Sequence, residues 1–310
     1  MEEKKQRKGR TMEKSGISGL VLLHKEEGMT SQTAVNRVKR LFGADKAGHT
    51  GTLDPMATGV LPVLLGRAVK ASEFLLTSRK HYRATLLLGR ETDTEDITGE
   101  VLRETDEIPC ERTVYEAAYG MIGESMQVPP MYSAIRVGGR RLMELAREGK
   151  SVEREARPIT VYRLDARRTG ERTYELDVEC SKGTYIRTLC ADIGKKLGCG
   201  GTMAALCRTQ AAGYPLSATH TLAELEAMTE EERRAAVILP EDIFPAAEKV
   251  VLPAFYARLA HNGQPIYLKK IGRTDPLGTY LRLYDGASFF ALGEVREEQE
   301  GVAVRPVRQF

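Results

Sequence analysis

Apolar residues along the first two thirds of the chain recur with two different spacings. Residues 19–23 form a short continuous apolar run, which is typical of a buried strand. Apolar residues occupy every second position over residues 82–88, and again over residues 174–180. A period of two places alternate side chains on opposite faces of a strand, so both segments are predicted to be half-buried strands.

Helical spacing is found in two further segments. Apolar residues over positions 34–42 recur every three or four residues after Thr30 and Ser31, either of which is suited to cap a helix. Residues 186–197 have the same spacing and are followed by Gly198, a residue type common just beyond helix C-termini. Because strands and helices are not arranged as regular βαβ units, we predict an α+β fold with a mixed sheet.

The last quarter of the chain has a different pattern. Three prolines fall within residues 240–253, and helix signals are few there. Beyond them, strand-like segments over residues 279–284 and 288–295 are joined by a short turn, an all-β pattern. We therefore predict a larger mixed domain over residues 15–245 and a small β-rich domain over residues 248–310.

The net charge of +3 comes from the N-terminal tail. Residues 1–14 carry six basic and three acidic side chains, which leaves 40 of each sign in the rest of the chain. The tail has almost nothing to bury and is predicted to be disordered. Residues 136–168 hold ten basic and five acidic residues around a predicted helix over residues 140–148. This local surplus indicates either a solvated face or a contact with nucleic acid.

Composition restricts the environment in which the chain is expected to work. No run of about 18 apolar residues is present, so no membrane-spanning helix is expected. The N-terminus lacks the apolar region of a secretory signal. The five cysteines form no C-x-x-C pair, which is typical of reduced thiols in a cytoplasmic protein, and their spacing does not suit a zinc site.

One carboxylate lies in a sequence suited to catalysis. Asp54 belongs to the segment KAGHTGTLDPMATGVL, residues 46–61, in which Gly51 and the other glycines allow a substrate to approach closely. Pro55 disfavours helical backbone angles at Asp54 and holds the carboxylate in an extended or turn conformation. A lone carboxylate on such a loop suits a nucleophile or a general base. The alternative is an Asx-turn, in which the aspartate only stabilises the local backbone.

Residues 46–61 closely resemble the catalytic motif of the bacterial TruB family of tRNA pseudouridine synthases, which modify uridine 55 in the T loop. The resemblance is strong over residues 16–213 and weaker over residues 250–310. It implies a pseudouridine synthase catalytic domain over residues 15–245 and a PUA-like RNA-binding domain over residues 248–310.

The resemblance also implies a substrate and a mechanism. Residues 131–156 would form a thumb over the T stem-loop of tRNA, with Arg140 and Arg141 among its basic contacts. Asp54 would be the nucleophile that attacks uracil C6 or ribose C1′ of a flipped uridine, and Arg187 its ion-pair partner. No cofactor or metal is expected, because the reaction neither oxidises the nucleotide nor adds a group to it. The protein is expected to act as a monomer.

The remaining implied site residues surround the flipped base. Tyr82 matches the family tyrosine that stacks on the base and has been assigned a part in proton transfer. Tyr185 matches a second aromatic of the site, and Leu206 matches an apolar wall. His49 is implied to enter the space that the flipped base leaves. From Cys207 onward the chain is less basic than the family commonly is, so the sequence does not support phosphate contact by this strand.

Three other functions are compatible with parts of this pattern. A tRNA-folding protein could remodel a stem-loop through its grip on RNA, with catalysis incidental. The catalytic subunit of a guide-RNA complex has the same motif, but the short C-terminal domain and the absence of long extensions count against it. An aspartyl hydrolase fits poorly, because no second carboxylate lies near Asp54 in the sequence to form the dyad that such enzymes need.

Overall fold

The computed structural model describes residues 16–310, so the predicted disordered tail over residues 1–14 lies outside the described part of the chain. None of the helices in that part is long and apolar enough to cross a membrane.

The α-helices are α1 (Ser31–Leu41), α2 (Ser72–Leu76), α3 (Glu111–Tyr119), α4 (Leu142–Arg147), α5 (Ile186–Leu197), α6 (Leu222–Ala227), α7 (Glu230–Ala235) and α8 (Ala254–His261). The strands are β1 (Gly19–Lys25), β2 (Ala47–His49), β3 (Thr58–Leu65), β4 (Lys80–Leu88), β5 (Arg90–Thr92), β6 (Val101–Glu104), β7 (Gly123–Gln127), β8 (Arg136–Val137), β9 (Arg140–Arg141), β10 (Arg157–Arg168), β11 (Thr173–Cys180), β12 (Gly201–Ala211), β13 (Tyr214–Pro215), β14 (Glu248–Leu252), β15 (Ile266–Tyr267), β16 (Tyr280–Asp285), β17 (Ser288–Glu298) and β18 (Gly301–Gln309).

The larger sheet combines nine of the described strands. They run in the order β1-β3-β12-β4-β11-β10-β7, with β2 beside β3 and β13 beside β12. Neighbours in this sheet are antiparallel apart from β3 and β12, which are parallel. Buried residues of α1, α3 and α5 join those of the strands in the main hydrophobic core. The mixed sheet with its helices is the α+β architecture that the sequence predicts.

Elements with a strong local pattern form where the sequence predicts them. Strands β4 and β11 bury every second residue and pair with each other, with Tyr82 opposite Val178. Helix α1 begins after Thr30, whose Oγ1 accepts a hydrogen bond from the backbone N–H of Thr33 at 3.1 Å. Helix α5 ends at Gly198, whose φ of +77° is the left-handed conformation that terminates many helices.

The predicted thumb helix is wrong at its N-terminal end. The sequence predicted a helix over residues 140–148, whereas α4 starts two residues later because Arg140 and Arg141 form strand β9, which pairs with β8. The turn between these strands consists of Gly138 and Gly139, and both have positive φ. Two such residues are the favoured connection of a tight β-hairpin. The hairpin leaves Arg140 and Arg141 exposed.

The small C-terminal domain contains a five-stranded sheet and one helix that the all-β prediction overlooked. The strand order is β14-β16-β17-β18-β15. Helix α8 contributes Ala257 and Ala260 to the core of this domain. Because a helix of eight residues with two buried positions gives only a weak helical periodicity, the strand signals around it dominated the prediction.

The C-terminal domain contacts the larger domain through polar groups and through aromatic rings, such as Phe74 and Tyr280, whose centroids lie 5.6 Å apart. Arg308 Nη2 lies 2.9 Å from Glu73 Oε2, and Lys70 Nζ donates a hydrogen bond to the Gln309 carbonyl at 2.9 Å. Both contacts join the end of β18 to the segment that follows β3, so the small domain is held against the larger one on that side.

Gly59 lies at the point where β3 meets β12. Its φ is +106°, and a Cβ atom placed there would lie 2.3 Å from the carbonyl oxygen of Arg208. Real Cβ atoms do not come so close to backbone. Only glycine therefore allows these two parallel strands to approach next to the loop that carries Asp54.

We expect Gly59→Ala to lower the free energy of unfolding by about 2–4 kcal/mol, because it adds a backbone clash to an unfavourable φ. Gly213→Ala is the matched control, since Gly213 also has a positive φ, +83°, but no atom lies within 4 Å of its Cβ position. The control should cost only about 1 kcal/mol. Urea denaturation measures both values, and equal costs would show that Gly59 has room for a side chain.

Candidate active site

A cavity of about 290 Å³ opens between the loop before β3 and the N-terminal end of α5. Strands β4 and β12 and residues 132–134 at the start of the thumb complete its wall. Five of the eight predicted site residues line it: Asp54, Tyr82, Tyr185, Arg187 and Leu206. A larger cavity of about 840 Å³ lies between the two domains, but none of the eight lines it. The smaller cavity is the candidate active site, because buried ionisable groups converge there.

The loop that carries Asp54 is held from both sides. Ser31 Oγ donates to the Leu53 carbonyl at 2.9 Å and accepts from the Leu53 N–H at 2.8 Å. On the other side, the ammonium of Lys25 donates to the carbonyls of Pro55 and Ala57 at 3.1 and 2.6 Å. Asp54 itself keeps 30% of its side chain exposed. A rigid loop therefore presents the carboxylate to the cavity.

Arg187 lies in the first turn of α5 and contacts the Asp54 carboxylate. Its side chain is 4% exposed, with Nε 2.9 Å from Oδ2. The N–H of Nε is not directed at that oxygen, so the contact is electrostatic. The directed hydrogen bond runs from Nη2 to Oδ1 at 3.2 Å. Two backbone carbonyls fix the guanidinium further, since Nη1 donates to Thr94 at 3.0 Å and Nη2 to Tyr132 at 2.8 Å.

A second carboxylate, which sequence reasoning missed, lies on the other side of Arg187. Asp96 Oδ2 is 3.7 Å from Arg187 Nη1. Its Oδ1 accepts hydrogen bonds from Thr94 Oγ1 at 2.9 Å and from the Thr98 N–H at 3.0 Å, which fix its orientation. Asp96 comes from the loop between β5 and β6, so it is far from Asp54 in sequence but close in space. The only hint in the sequence is the acidic, threonine-rich stretch over residues 92–98.

Burial dominates the electrostatics of Asp54. It raises the pKa of the carboxyl above its ordinary value, and the charge of Arg187 opposes that rise. The negative charge of Asp96 raises this pKa further, whereas Lys25 lowers it. The ion pair with Arg187 lowers the pKa of Asp54, but burial outweighs it and the net direction is upward. Removing Arg187 would leave the carboxyl still easier to protonate.

The two tyrosines and Leu206 complete the cavity wall. Tyr82 is buried on β4, which raises the pKa of its hydroxyl, and the charge of Arg208 opposes that rise. Tyr185 directly precedes α5 and is pinned by Gln127, which accepts from its backbone N–H at 2.8 Å and donates to its carbonyl at 3.1 Å. Leu206 is buried on β12. An aromatic and apolar surface thus faces the carboxylate.

The other three predicted residues lie outside this cavity. His49 is on β2, opposite Val63 of β3, and burial lowers the pKa of its imidazole, so the neutral form is favoured. Arg140 and Arg141 are exposed on the thumb hairpin. The guanidinium of Arg140 forms an ion pair with Glu148, with Nη1 3.3 Å from Oε2.

Two family models match most of the described chain. The model of the N-terminal domain of TruB family pseudouridylate synthases matches residues 39–186. The model of the tRNA pseudouridylate synthase B C-terminal domain matches residues 187–254. The chain belongs to the TruB family of pseudouridylate synthases. The first matched range contains Asp54, and the second contains Arg187.

Individual relatives of the TruB family match nearly the whole chain. The tRNA pseudouridine synthase B of Alkaliphilus oremlandii is 42% identical over 286 residues, which cover 91% of this chain and 94% of that protein. The protein of the same name from Pseudomonas fluorescens is 44% identical over 291 residues, covering 91% and 93%. In the crystal structure of a Cbf5-Nop10-Gar1 complex, a chain that is 25% identical aligns with a TM-score of 0.69 over 94% of this chain and 84% of that one.

Three buried cations beside the site were not predicted from the sequence. They are Lys25, Lys80 and Arg208. Arg208 could have been predicted, because it lies two residues after the predicted site residue Leu206 and therefore on the same face of β12. Burial lowers the pKa of both lysines to about 8. Among residues 16–310, no three His, Cys, Asp or Glu side chains gather in the way that a metal site requires.

Proposed function

We propose that this TruB-family enzyme converts uridine 55 in the T loop of tRNA to pseudouridine, with Asp54 as the nucleophile. The observation that carries the proposal is the Asp54–Arg187 pair, a rigidly held carboxylate that faces a nucleoside-sized cavity. Relatives named tRNA pseudouridine synthase B, more than 40% identical over nine tenths of the chain, support tRNA as the substrate.

The proposed reaction is an isomerisation. The bond between uracil N1 and ribose C1′ breaks, and a bond between uracil C5 and C1′ forms. One proton leaves C5 and one is gained at N1, so nothing is oxidised or transferred to the enzyme in the net reaction. An Asp54 oxygen attacks either C6 of the base or C1′ of the ribose and leaves again when the new glycosidic bond has formed.

Each residue around the cavity has a part in this proposal. Arg187 keeps Asp54 ionised and oriented, and Tyr82 stacks on the uracil and takes part in proton transfer. Tyr185 and Leu206 enclose the base. Flipping a base costs a few kcal/mol, least where it is already unstacked, which favours a loop uridine as the target. His49, outside the cavity, occupies the space that the flipped base leaves.

Release of tritium tests the activity directly. An unmodified tRNA transcript that carries tritium at C5 of its uridines is incubated with the purified enzyme, and tritium in water is counted. We expect release of one equivalent per tRNA, because the C5 proton must leave when C5 binds C1′. Absence of release under conditions in which the transcript is bound would contradict the proposed function.

The thumb is proposed to hold the stem-loop by its phosphates. Its hairpin exposes Arg140 and Arg141 in a segment with a basic surplus. Because Arg140 is paired with Glu148 in the structure, RNA must compete with that carboxylate for its guanidinium. The small C-terminal domain is proposed to add an RNA contact of its own. We further propose that the enzyme works as a monomer in the cytoplasm.

Replacing Arg140 and Arg141 together by alanine should weaken binding of the stem-loop. It should also reduce the steepness with which the logarithm of the association constant falls with the logarithm of the salt concentration, by about 1–2. Fluorescence anisotropy over a series of salt concentrations measures both quantities. Arg112→Ala is the control, because Arg112 is 87% exposed on α3 and its ion pair is with Glu116 of the same helix. A slope that is the same for the double variant and the control would show that the thumb arginines do not contact the RNA backbone.

A further inference from the structure

Two buried cations face the active-site cavity and form no ion pair with a carboxylate in the described part of the chain. Lys80, at the start of β4, is 6% exposed, and Arg208 of β12 is 1% exposed. Both side chains line the cavity that contains Asp54. A buried charge without a partner is costly, and proteins normally pair such a charge or use it to bind a ligand.

The two side chains retain hydrogen-bond donors for a ligand. The ammonium of Lys80 donates to the carbonyls of Leu76 and Ser78 at 3.1 and 2.8 Å, which leaves one of its three N–H groups. The guanidinium of Arg208 donates through Nε to Val60 at 2.8 Å and through Nη2 to Gly51 at 3.1 Å. Within the described residues Nη1 makes no directed hydrogen bond to a protein acceptor, and the Tyr82 hydroxyl is the side-chain group that interacts with Arg208.

The same two side chains converge on Gly51. A Cβ atom placed on Gly51 would lie 3.4 Å from Arg208 Nη1 and 3.7 Å from Lys80 Cε. Gly51 has a φ of +124° and no side chain, so the backbone of the Asp54 loop leaves open the space between the two cations. Arg208 Nη1 and the end of the Lys80 side chain therefore both lie near Gly51, three residues from Asp54, on the cavity side of its loop.

The charge of the cavity wall also favours an anion. Four cationic side chains line it against the single carboxylate of Asp54: Lys80, Lys182, Arg187 and Arg208. Arg187 is already paired with Asp54, so three positive charges have no partner in the wall. Burial, together with the charges of Arg208 and Lys182, lowers the pKa of Lys80 to about 8, and a bound anion would favour its charged form.

We propose that Lys80 and Arg208 form a subsite for a backbone phosphate next to the target nucleotide. This inference rests on the proposed function, because that function brings an RNA strand into the cavity. A phosphate offers several acceptor oxygens to the remaining N–H of Lys80 and to Nη1 of Arg208. Holding the phosphate fixes the ribose relative to Asp54, which lowers the entropy cost of the attack. Strand β12 thus contacts phosphate through Arg208, although the sequence beyond Leu206 did not support such a contact.

A cycle of protein and RNA changes tests the subsite. Stem-loops carry one uncharged methylphosphonate, either 5′ or 3′ of the target uridine, and binding is measured by fluorescence anisotropy for the wild type, Lys80→Met and Arg208→Met. We expect the methylphosphonate at one of the two positions to weaken binding by the wild type about tenfold. The same change in the RNA should weaken binding by Lys80→Met or by Arg208→Met less than about twofold. Lys195→Met, which removes an exposed lysine of α5 outside the cavity, should retain the tenfold effect.

The design separates folding, function and binding. Arg208 also supports the Asp54 loop, so if Arg208→Met does not fold, Lys80→Met and Arg208→Lys complete the cycle. Tritium release by the wild type establishes the proposed function independently, whatever the cycle shows. If the enzyme is catalytically active and the methylphosphonate and the side-chain substitution have additive effects on the binding free energy at both positions, the proposed subsite is wrong. Inorganic phosphate is also tested as an inhibitor at constant ionic strength. If its inhibition requires Lys80 while the effects in the cycle are additive, the site binds free anions and the assignment to RNA is wrong.

Discussion

Replacing Asp54 by asparagine is expected to reduce pseudouridine formation by at least about 10⁴-fold, the size of effect seen when a nucleophile is removed. Asparagine keeps the size of the side chain and an oxygen that can accept from Arg187 Nη2. It loses the negative charge and therefore the ability to attack the nucleotide. Affinity for the T stem-loop should stay within about twofold, since the proposed grip on RNA relies mainly on phosphate contacts elsewhere.

The control for this variant is Asp106→Asn, because the side chain of Asp106 is 96% exposed and pairs with Arg172 far from the cavity. It should retain wild-type turnover and wild-type affinity. Turnover above about 1% of wild type by an Asp54→Asn preparation of verified mass would exclude Asp54 as the nucleophile, because residual activity without a nucleophile is far smaller. Full turnover by the control and none by Asp54→Asn is the outcome that the active-site geometry predicts.

Substitution of Arg187 is expected to separate charge from geometry. Arg187→Lys keeps the positive charge but loses the bonds to the Thr94 and Tyr132 carbonyls, so we expect a loss of about 10²-fold in turnover. Arg187→Met also loses the charge, and we expect a loss of about 10³-fold or more. Thermal unfolding of both variants is measured alongside, because the released carbonyls lower stability.

The Arg187→Met variant should also have a shifted pH profile. Burial already raises the pKa of Asp54, and Arg187 opposes that rise, so removing the guanidinium raises the pKa further. The nucleophile is active only when ionised. Activity of the variant should therefore increase with pH over a range in which the wild type has already reached its plateau. Wild-type activity of Arg187→Met at every pH from 6 to 9 would show that the pair has no part in catalysis.

An oriented pair should be non-additive. Once Asp54 is asparagine, adding Arg187→Met should cost less than about threefold in residual catalysis, because the arginine acts through the carboxylate that is already neutral. If the loss of catalysis in the double variant equalled the product of the losses in the two single variants, Arg187 would have to act on the nucleotide independently of Asp54.

The parts of the structure that the sequence predicted depend on local patterns. Strands β4 and β11 and helix α5 follow from spacing within each segment, and the Asp54 loop was identifiable as a candidate site from consecutive residues over 46–61. The thumb helix was misplaced by two residues, because the turn formed by Gly138 and Gly139 closes a hairpin that periodicity does not detect.

The parts that the sequence did not predict depend on pairing between distant segments. Asp96 reaches Arg187 because the loop between β5 and β6 packs beside α5, and no motif joins these segments. Arg208 reaches the Asp54 loop because β12 lies between β3 and β4, with Arg208 opposite Gly59 on one side and Tyr82 on the other. The raised pKa of Asp54 arises from burial by all these elements together, which the sequence of the loop does not encode.

Mapping the modified position shows whether this enzyme makes pseudouridine at position 55 of tRNA. An unmodified tRNA transcript is treated with the purified enzyme, derivatised with a carbodiimide that marks pseudouridine, and read by primer extension, with Asp54→Asn as the blank. We expect one enzyme-dependent stop that marks position 55, absent from the blank and from a transcript with cytidine at that position. A stop at another uridine, or no stop in a transcript that the enzyme binds, would show that uridine 55 is not the target.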